Sequence, residues 1–164
     1  MATTTDNSPT ADKQLVETFI ASVWNGEDLD ALDELAPAAL VVHQLGGDVT
    51  RSSREEFKSF VKEFRHAVPD LTHHPETIVA EGDHVAVYQT VTGTPENEYE
   101  AMRPTGNSFD VPAFQLFRIE DGQIAEVWIL PNVMGTLKQL DLLPDSPAKV
   151  FRFVGGQLLR KLRG

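Results

Sequence analysis

The sequence contains no cysteine, which excludes disulfide bonds, thiolate metal sites and a cysteine nucleophile. Basic side chains are also scarce: 14 lysines and arginines stand against 25 aspartates and glutamates, for a net charge of −11. Such a charge repels phosphate backbones, so no nucleic-acid partner is expected. No run approaches the roughly 18 apolar residues of a transmembrane helix, so a membrane role is not expected either.

The few positive charges gather at the C-terminus. Residues 147–164 hold five basic side chains and no acidic one, interspersed with apolar side chains. A basic amphipathic segment can lie on an anionic membrane surface. Packing on the acidic body of the same or a partner subunit, as a clasp between subunits, is the preferred interpretation. The acidic body has two open interpretations, a salt-adapted protein or an ordinary acidic bacterial one.

The length of 164 residues and the hydrophobic fraction of 41% are typical of one globular domain. We expect a disordered lead-in over 1–10, a single α+β domain over 11–146 and the basic amphipathic tail over 147–164. The N-terminus has neither the basic start nor the apolar core of a secretory signal. A cytoplasmic location is therefore expected by default.

Helices are predicted in the first part of the chain. Apolar side chains recur at helical spacing over 11–24, and a short helix follows around 29–35. Ser53 and Glu56 form a capping box, so another helix begins there. The predicted buried face of that helix consists of Phe57, Phe60, Val61 and Phe64.

The rest of the chain shows the period of two that is typical of strands. Strands are predicted over 39–45, 72–80, 84–92, 108–119 and 123–130, with a loop over 93–107 and a short helix around 133–141. Helices grouped on one side of an antiparallel sheet make an α+β fold. A curved, mostly antiparallel sheet wrapped around N-terminal helices leaves a cone with an apolar mouth, which is a typical ligand site.

Five short motifs occur in a recognisable order and spacing. They are FRHAVPDL at 64–71, EGDHVAV at 81–87, RPTGNSF at 103–109, FRIEDGQIAEVW at 117–128 and QLD at 139–141. Together they resemble the SnoaL-like polyketide cyclase and ester cyclase family of the nuclear transport factor 2-like (cystatin-like) superfamily. The resemblance runs from Leu15 to Leu143. It implies a cone-shaped α+β barrel, a homodimer formed through the sheet, no metal or organic cofactor, and a small hydrophobic carbonyl compound as ligand.

The resemblance also implies a chemistry, aldol-type cyclisation, in which an acidic residue removes a proton beside a carbonyl group. The position of that acid holds Asn132, four residues after Trp128, and the position of the family's histidine holds Pro95. An amide cannot take up a proton at a useful pH. Three functions stay open: a cyclase with a substituted acid–base set, a non-catalytic protein that binds a small ligand, and an isomerase or hydrolase of the superfamily.

Two residues are candidates for catalysis. His43, in the first strand, is a general base if it faces the cone; otherwise it is a core or rim histidine bonded to the backbone. Asn132 either donates a hydrogen bond to a substrate oxygen or caps the helix that follows it.

Five side chains are candidates for ligand binding. Gln115 interrupts an apolar strand face, and a buried amide needs a partner. Trp128 is expected to form a wall of the cavity. Tyr88 reaches the cavity or packs with its hydroxyl at the rim, and Arg103 attracts an anionic substrate at the mouth or is a solvated loop residue. Phe64 belongs to the apolar helix face.

No metal site is expected. His73 and His74 are adjacent in a strand, so they point to opposite faces and cannot bind one metal together. No glycine-rich nucleotide motif occurs, and no cofactor is expected. Glu126 shares the predicted face of Trp128 and is the one acidic candidate for the cone.

Overall fold

The structure, a computed structural model, describes residues 8–45 and 49–143. Residues 46–48, most of the predicted lead-in and the predicted basic tail over 147–164 lie outside these described residues. None of the described helices is long and apolar enough to cross a bilayer.

The helices of the described part of the chain are α1 (Pro9–Phe19), α2 (Leu32–Leu35), α3 (Arg54–Ala67) and α4 (Val133–Gln139), and a π-helical segment, Ile20–Asn25, continues α1. Ser8 caps α1, because its Oγ accepts a hydrogen bond from Ala11 N at 3.2 Å. Proline suits the first position of a helix, where its missing N–H is not needed. Residues 9 and 10 therefore belong to α1, which corrects the predicted end of the lead-in.

The predicted capping box opens α3. Ser53 Oγ accepts from Glu56 N at 3.2 Å, and the Glu56 carboxylate accepts from Ser52 N at 2.8 Å. Two backbone donors at the helix start are thereby satisfied. The predicted apolar face of α3 packs against the core, with Phe64 at its partly buried margin.

In the described parts of the chain, six strands form one curved sheet. They are β1 (Val41–Gln44), β2 (Val49–Arg51), β3 (Thr72–Glu81), β4 (His84–Gly93), β5 (Phe109–Glu120) and β6 (Gln123–Leu130). Their order is β2-β1-β6-β5-β4-β3; β1 and β6 are parallel and the other neighbours antiparallel. The sheet does not close on itself, so β2 and β3 are its edges. The predicted α+β fold with a mostly antiparallel curved sheet is confirmed.

The inner face of the sheet packs on the helices. Along β5, alternate residues from Phe109 to Ile119 are buried, as the alternation predicted. The Phe117 ring meets that of Phe19 in α1 at a centroid distance of 5.4 Å, and Phe19 meets Phe57 in α3 at 6.0 Å. These three rings join the helices to the sheet.

Two bulges reverse the alternation of inner and outer side chains within single strands. The pairing of β3 with β4 shifts at Glu76, and the pairing of β6 with β5 shifts at Ala125. Each extra residue moves the side chains that follow it to the other face of the sheet. Residues that are two or four positions apart in β3 or β6 therefore do not always lie on the same face of the sheet.

Candidate functional site

A cavity of about 150 Å³ lies between the inner face of the sheet, α3, the loop before β5 and the start of α4. Its wall is mainly apolar and aromatic. The side chains that build this wall include Phe60, Phe64, Val91, Tyr99, Met102 and Phe109. A concave, largely apolar space with a few polar groups is the usual form of a small-molecule site.

Three polar side chains border the cavity from neighbouring strands. His73 lies in β3, Gln89 in β4 and Gln115 in β5, and their exposed fractions are 6%, 0% and 2%. Gln89 pairs with Pro75 on one side and Ala113 on the other, each two residues from the next polar side chain. Such diagonal neighbours lie within reach of one another, so the three form a line across the sheet. We call His73, Gln89 and Gln115 the polar floor.

The polar floor has hydrogen-bonding capacity that no other described residue uses. His73 Nδ1 and both amide atoms of Gln89 and Gln115 are buried without a partner, as is Trp24 Nε1 in the same cavity wall. Nearly all buried polar groups in native proteins have partners, and one without a partner costs about 1–3 kcal/mol. Because these groups border the cavity, a molecule inside it can supply the missing partners.

Neighbouring residues fix the position and charge of His73. The Asn25 side chain accepts from His73 N and donates to His73 O, both at 2.8 Å. The Trp24 ring stacks on the imidazole with centroids 4.5 Å apart. Burial lowers the pKa of His73 to about 4, although the nearby Gln89 amide acts in the opposite direction. His73 is therefore neutral near pH 7.

Three of the residues predicted from the sequence border the cavity: Gln115, Asn132 and Phe64. Asn132 precedes α4, where its Oδ1 accepts a hydrogen bond from Gly135 N at 3.0 Å. Asn132 therefore caps the helix, and the same residue also borders the cavity. The binding and catalytic roles of these three residues stay predictions.

Three other candidates, His43, Trp128 and Tyr88, lie on the outer face of the sheet. The parallel pairing of β1 with β6 places His43 beside Trp128, with ring centroids 5.4 Å apart. His43 Nε2 lies 2.7 Å from Glu126 Oε1, and Tyr88 packs on Phe114 at 5.1 Å. The expectations that His43 and Tyr88 reach the cavity and that Trp128 forms its wall are therefore corrected.

Glu126 belongs to the same outer-face cluster. Its carboxylate also accepts from Arg118 Nε at 3.1 Å. The hydrogen bond with His43, followed by that with Arg118, lowers the pKa of Glu126. A charged carboxylate on the outer face is not an acid or base for the cavity. Arg103 is exposed in the loop, next to Met102 but outside the cavity wall.

The arrangement suits hydrogen bonding to a guest molecule. Among residues 8–45 and 49–143, no group of three or more histidine or acidic side chains is arranged to hold a metal ion. The wall formed by these residues holds one carboxylate, Glu100, which is exposed, and no lysine or arginine. Neutral amides and a neutral imidazole both donate and accept hydrogen bonds. An uncharged, partly polar molecule matches this chemistry.

The sequence profile of the SnoaL-like polyketide cyclase family matches residues 14–140. The chain belongs to this family. Among solved structures that resemble this chain, IdmH of Streptomyces antibioticus, a proposed polyketide cyclase, is 27% identical with a TM-score of 0.71, covering 79% of this chain and 98% of its own. AclR of Streptomyces galilaeus, a proposed hydroxylase, is 29% identical with a TM-score of 0.73, covering 95% of this chain and 96% of its own.

A more distant structure shares only the fold. The LEH-like epoxide hydrolase of M. tuberculosis is 19% identical with a TM-score of 0.65, covering 80% of this chain and 90% of its own. A search of curated protein sequences found no match. Since proteins named for different reactions share this architecture, the function of this SnoaL-like chain has to be argued from its own cavity.

Three residues of the SnoaL-like cavity were not among the candidates predicted from the sequence: Trp24, His73 and Gln89. Gln89 interrupts the buried alternation of β4 in the same way that Gln115 interrupts β5, so the same signal identifies it. Trp24 and His73 carry no comparable signal. Their directions depend on the π-helical segment after α1 and on the bulge in β3, neither of which the sequence pattern reveals.

Proposed function

We propose that this SnoaL-like protein binds a small, uncharged hydrophobic carbonyl compound in the cavity. The observation that supports the proposal is an apolar wall around buried amide and imidazole groups without partners. An apolar cavity of about 150 Å³ can hold a molecule the size of benzene. The cavity therefore suits a single-ring compound with a carbonyl group, or one end of a larger compound that extends through the mouth.

The charges around the cavity favour an uncharged ligand. The described wall holds the Glu100 carboxylate and no cationic side chain, and the whole chain carries a net charge of −11. An anion that entered this space would lose much of its hydration without contacting a cation, since Arg51 packs on the Phe60 ring but is not part of the wall. Anionic compounds are therefore expected to bind more weakly than uncharged compounds of the same shape.

Binding without proton transfer is the function that the cavity supports best. Asn132 stands where the family resemblance implies an acid, and an amide does not accept a proton near pH 7. His73 has a basic nitrogen, but a pKa of about 4 makes it a weak base. Aldol-type cyclisation through His73 is the second candidate, favoured by its unpartnered Nδ1 at the cavity. Carboxylate-based isomerase or hydrolase chemistry has less support, because Glu100 is exposed.

The two tryptophans offer an internal comparison for a binding test. Trp24 borders the cavity, whereas Trp128 lies on the outer face. During titration with acetophenone, the indole N–H signal of Trp24 in an NMR correlation spectrum is expected to shift and saturate, while that of Trp128 stays in place. The variant Trp128→Phe assigns the two signals. A Trp24 signal that never saturates would contradict the proposal.

Proton transfer is tested separately from binding. In deuterium oxide, removal of a proton beside the acetophenone carbonyl replaces methyl hydrogen with deuterium. A non-catalytic binder leaves this exchange at the rate measured without protein. Exchange that is accelerated by the wild type and lost in His73→Phe would establish the second candidate instead.

We also propose a homodimer formed through the outer face of the sheet, as the resemblance implies. Phe114 and Leu130 pair in register on this face and are 52% and 47% exposed. Contiguous exposed apolar side chains are typical of an interaction surface. Sedimentation equilibrium is expected to give a dimer for the wild type and a monomer for Phe114→Glu. A monomeric wild type would overturn this proposal.

A further inference from the structure

We propose that the polar floor is the specificity determinant of the cavity: it binds a carbonyl or hydroxyl oxygen of an uncharged ligand and discriminates against pure hydrocarbons and carboxylates. This inference rests on the proposed function, because it presumes that the cavity is a ligand site. Beyond that function, it specifies which atoms recognise the ligand and which chemical class of ligand they prefer.

The geometry of the floor places three polar side chains along one diagonal of the sheet, with Gln89 in the middle. Gln89 is a diagonal neighbour of His73 on one side and of Gln115 on the other, and all three lie on the same face of the sheet. All three border the same cavity and are more than nine-tenths buried. A ligand oxygen beside Gln89 is therefore near Gln89 and one of its two neighbours, either His73 or Gln115.

A third glutamine in the cavity wall shows what distinguishes the floor. Gln44 also borders the cavity, but its Oε1 accepts from Arg51 Nη1 at 3.5 Å. Gln89 and Gln115 have no partner outside the polar floor for either amide atom. Their hydrogen-bonding capacity is therefore available to a ligand, whereas that of Gln44 is partly used within the protein.

The floor is held in place before any ligand arrives. Asn25 bonds both backbone groups of His73, and Trp24 stacks on its ring. Arg65 in turn donates to the backbone carbonyl of Trp24 and to that of Leu71. Groups that are fixed in advance lose little freedom on binding, which favours selectivity for a matching ligand.

The donors of the floor suit neutral oxygen atoms. Each glutamine amide offers two N–H donors and one carbonyl acceptor. A ketone or hydroxyl oxygen accepts from the N–H groups, whereas a carboxylate would additionally require a cation that the described wall does not offer. A hydrocarbon of the same shape leaves every one of these groups unpaired.

Two pairs of compounds of matched shape test the inference on the full chain. Acetophenone and ethylbenzene differ in one oxygen atom, and benzamide and benzoate differ mainly in charge. Dissociation constants are measured for each from the Trp24 indole signal. Benzamide is expected to bind at least about tenfold more tightly than benzoate at neutral pH, because a buried unpaired charge is costly.

The variants Gln89→Leu and Gln115→Leu remove the proposed hydrogen bonds at nearly constant volume. Each variant is expected to bind acetophenone about fivefold more weakly, which corresponds to the loss of one net hydrogen bond. Its affinity for ethylbenzene should stay the same or increase. Their melting temperatures without ligand are expected to equal or exceed that of the wild type, because an unpaired buried amide is replaced by an apolar group. A purely structural glutamine would instead lower the melting temperature.

The matched control is Gln123→Leu in the same sheet, where Gln123 Nε2 donates to the Glu34 carbonyl outside the cavity. It should leave the ratio of the acetophenone and ethylbenzene affinities unchanged. If both floor variants keep the wild-type ratio of acetophenone to ethylbenzene affinity, and ethylbenzene binding is saturable, the proposed role of the polar floor is wrong. Binding in the cavity would still stand. Benzoate binding as tightly as benzamide would also overturn the role of the polar floor. Absence of any saturable acetophenone binding would overturn both proposals.

Discussion

Both faces of the sheet carry a histidine with other polar side chains. Those on the outer face have hydrogen-bond partners, whereas those on the inner face have buried atoms without partners. On the outer face, His43 bonds Glu126 at 2.7 Å, and Glu126 also bonds Arg118 at 3.1 Å. On the inner face, His73 and the two glutamines of the polar floor have buried atoms without partners. A satisfied network stabilises the fold, whereas an unsatisfied buried one favours an added partner. Unused hydrogen-bonding capacity therefore locates the site better than the presence of titratable residues does.

The aromatic rings follow the same division. On the outer face, Trp128 stacks between His43 and His84, with centroid distances of 5.4 Å and 6.1 Å. On the inner face, Trp24 stacks on His73 at 4.5 Å, and its Nε1 remains unpartnered at the cavity. Each face thus pairs a tryptophan with histidine, but only the inner pair has a buried donor to offer a ligand.

The largest predicted effect is loss of stability in acid through His73. Its pKa is about 4 in the folded protein, against the ordinary value of 6.5. Between these values the unfolded chain binds more protons than the folded one, so stability falls as the pH drops from 6.5 towards 4. The expected loss is about 3 kcal/mol across this window, measured by urea denaturation at several pH values.

The variant His73→Phe should remove most of this pH dependence, because it keeps a ring beside Trp24 but cannot titrate. The matched control is His74→Phe, one residue along on the outer side of the same strand, which should retain the slope. An identical slope in the wild type and in His73→Phe would show that the inner histidine is not the group that resists protonation.

A smaller effect is predicted for Glu126→Gln on the outer face. Loss of the charge weakens the bonds to His43 and Arg118, and a cost of about 1 kcal/mol is expected because the group is partly exposed. Acetophenone affinity should not change. Glu120→Gln is the control, since Glu120 pairs with Arg118 at 2.9 Å but is more exposed; it should cost less than about 0.5 kcal/mol. A loss of acetophenone binding in Glu126→Gln would break the distinction between the two faces.

The smallest stability change is predicted for Asn132→Asp. Aspartate caps a helix about as well as asparagine, so the change should stay within about 0.5 kcal/mol, whereas Asn132→Ala should cost about 1 kcal/mol. The new carboxylate borders the cavity, so deuterium exchange of the acetophenone methyl group should exceed that of the wild type. Thermal unfolding measures the stability change, and NMR measures the rate of deuterium exchange. An Asn132→Asp protein with wild-type exchange would show that this position does not contact the reacting carbon.

The sequence predicts much of the fold because its alternation is local. The buried face of β5, including Gln115, and the capping box of α3 follow directly from residue spacing. The side on which His43 lies depends on the parallel pairing of β1 with β6, which joins residues more than 80 positions apart. No local pattern contains that information.

The bulges explain the remaining errors in the predicted faces of the side chains. Counting by twos along β6 groups Ile124 with Trp128, but the extra residue Ala125 places Ile124 inside and Trp128 outside. In β3 the shift at Glu76 hides the fact that His73 belongs with the buried side chains. A bulge inserts one extra residue into a strand and has no reliable sequence signal. The periodicity therefore could not identify His73 as a cavity residue.

The bonds between Asn25 and His73 have a consequence for the edge of the sheet. β3 is an edge strand, and an edge with free backbone groups invites a strand from another molecule. At His73 both of these groups are already occupied, Pro75 has no N–H to offer, and the bulge at Glu76 twists the strand away. The opposite edge, β2, is only three residues long. An unclosed sheet can therefore remain unextended at both ends, protected from edge-to-edge aggregation.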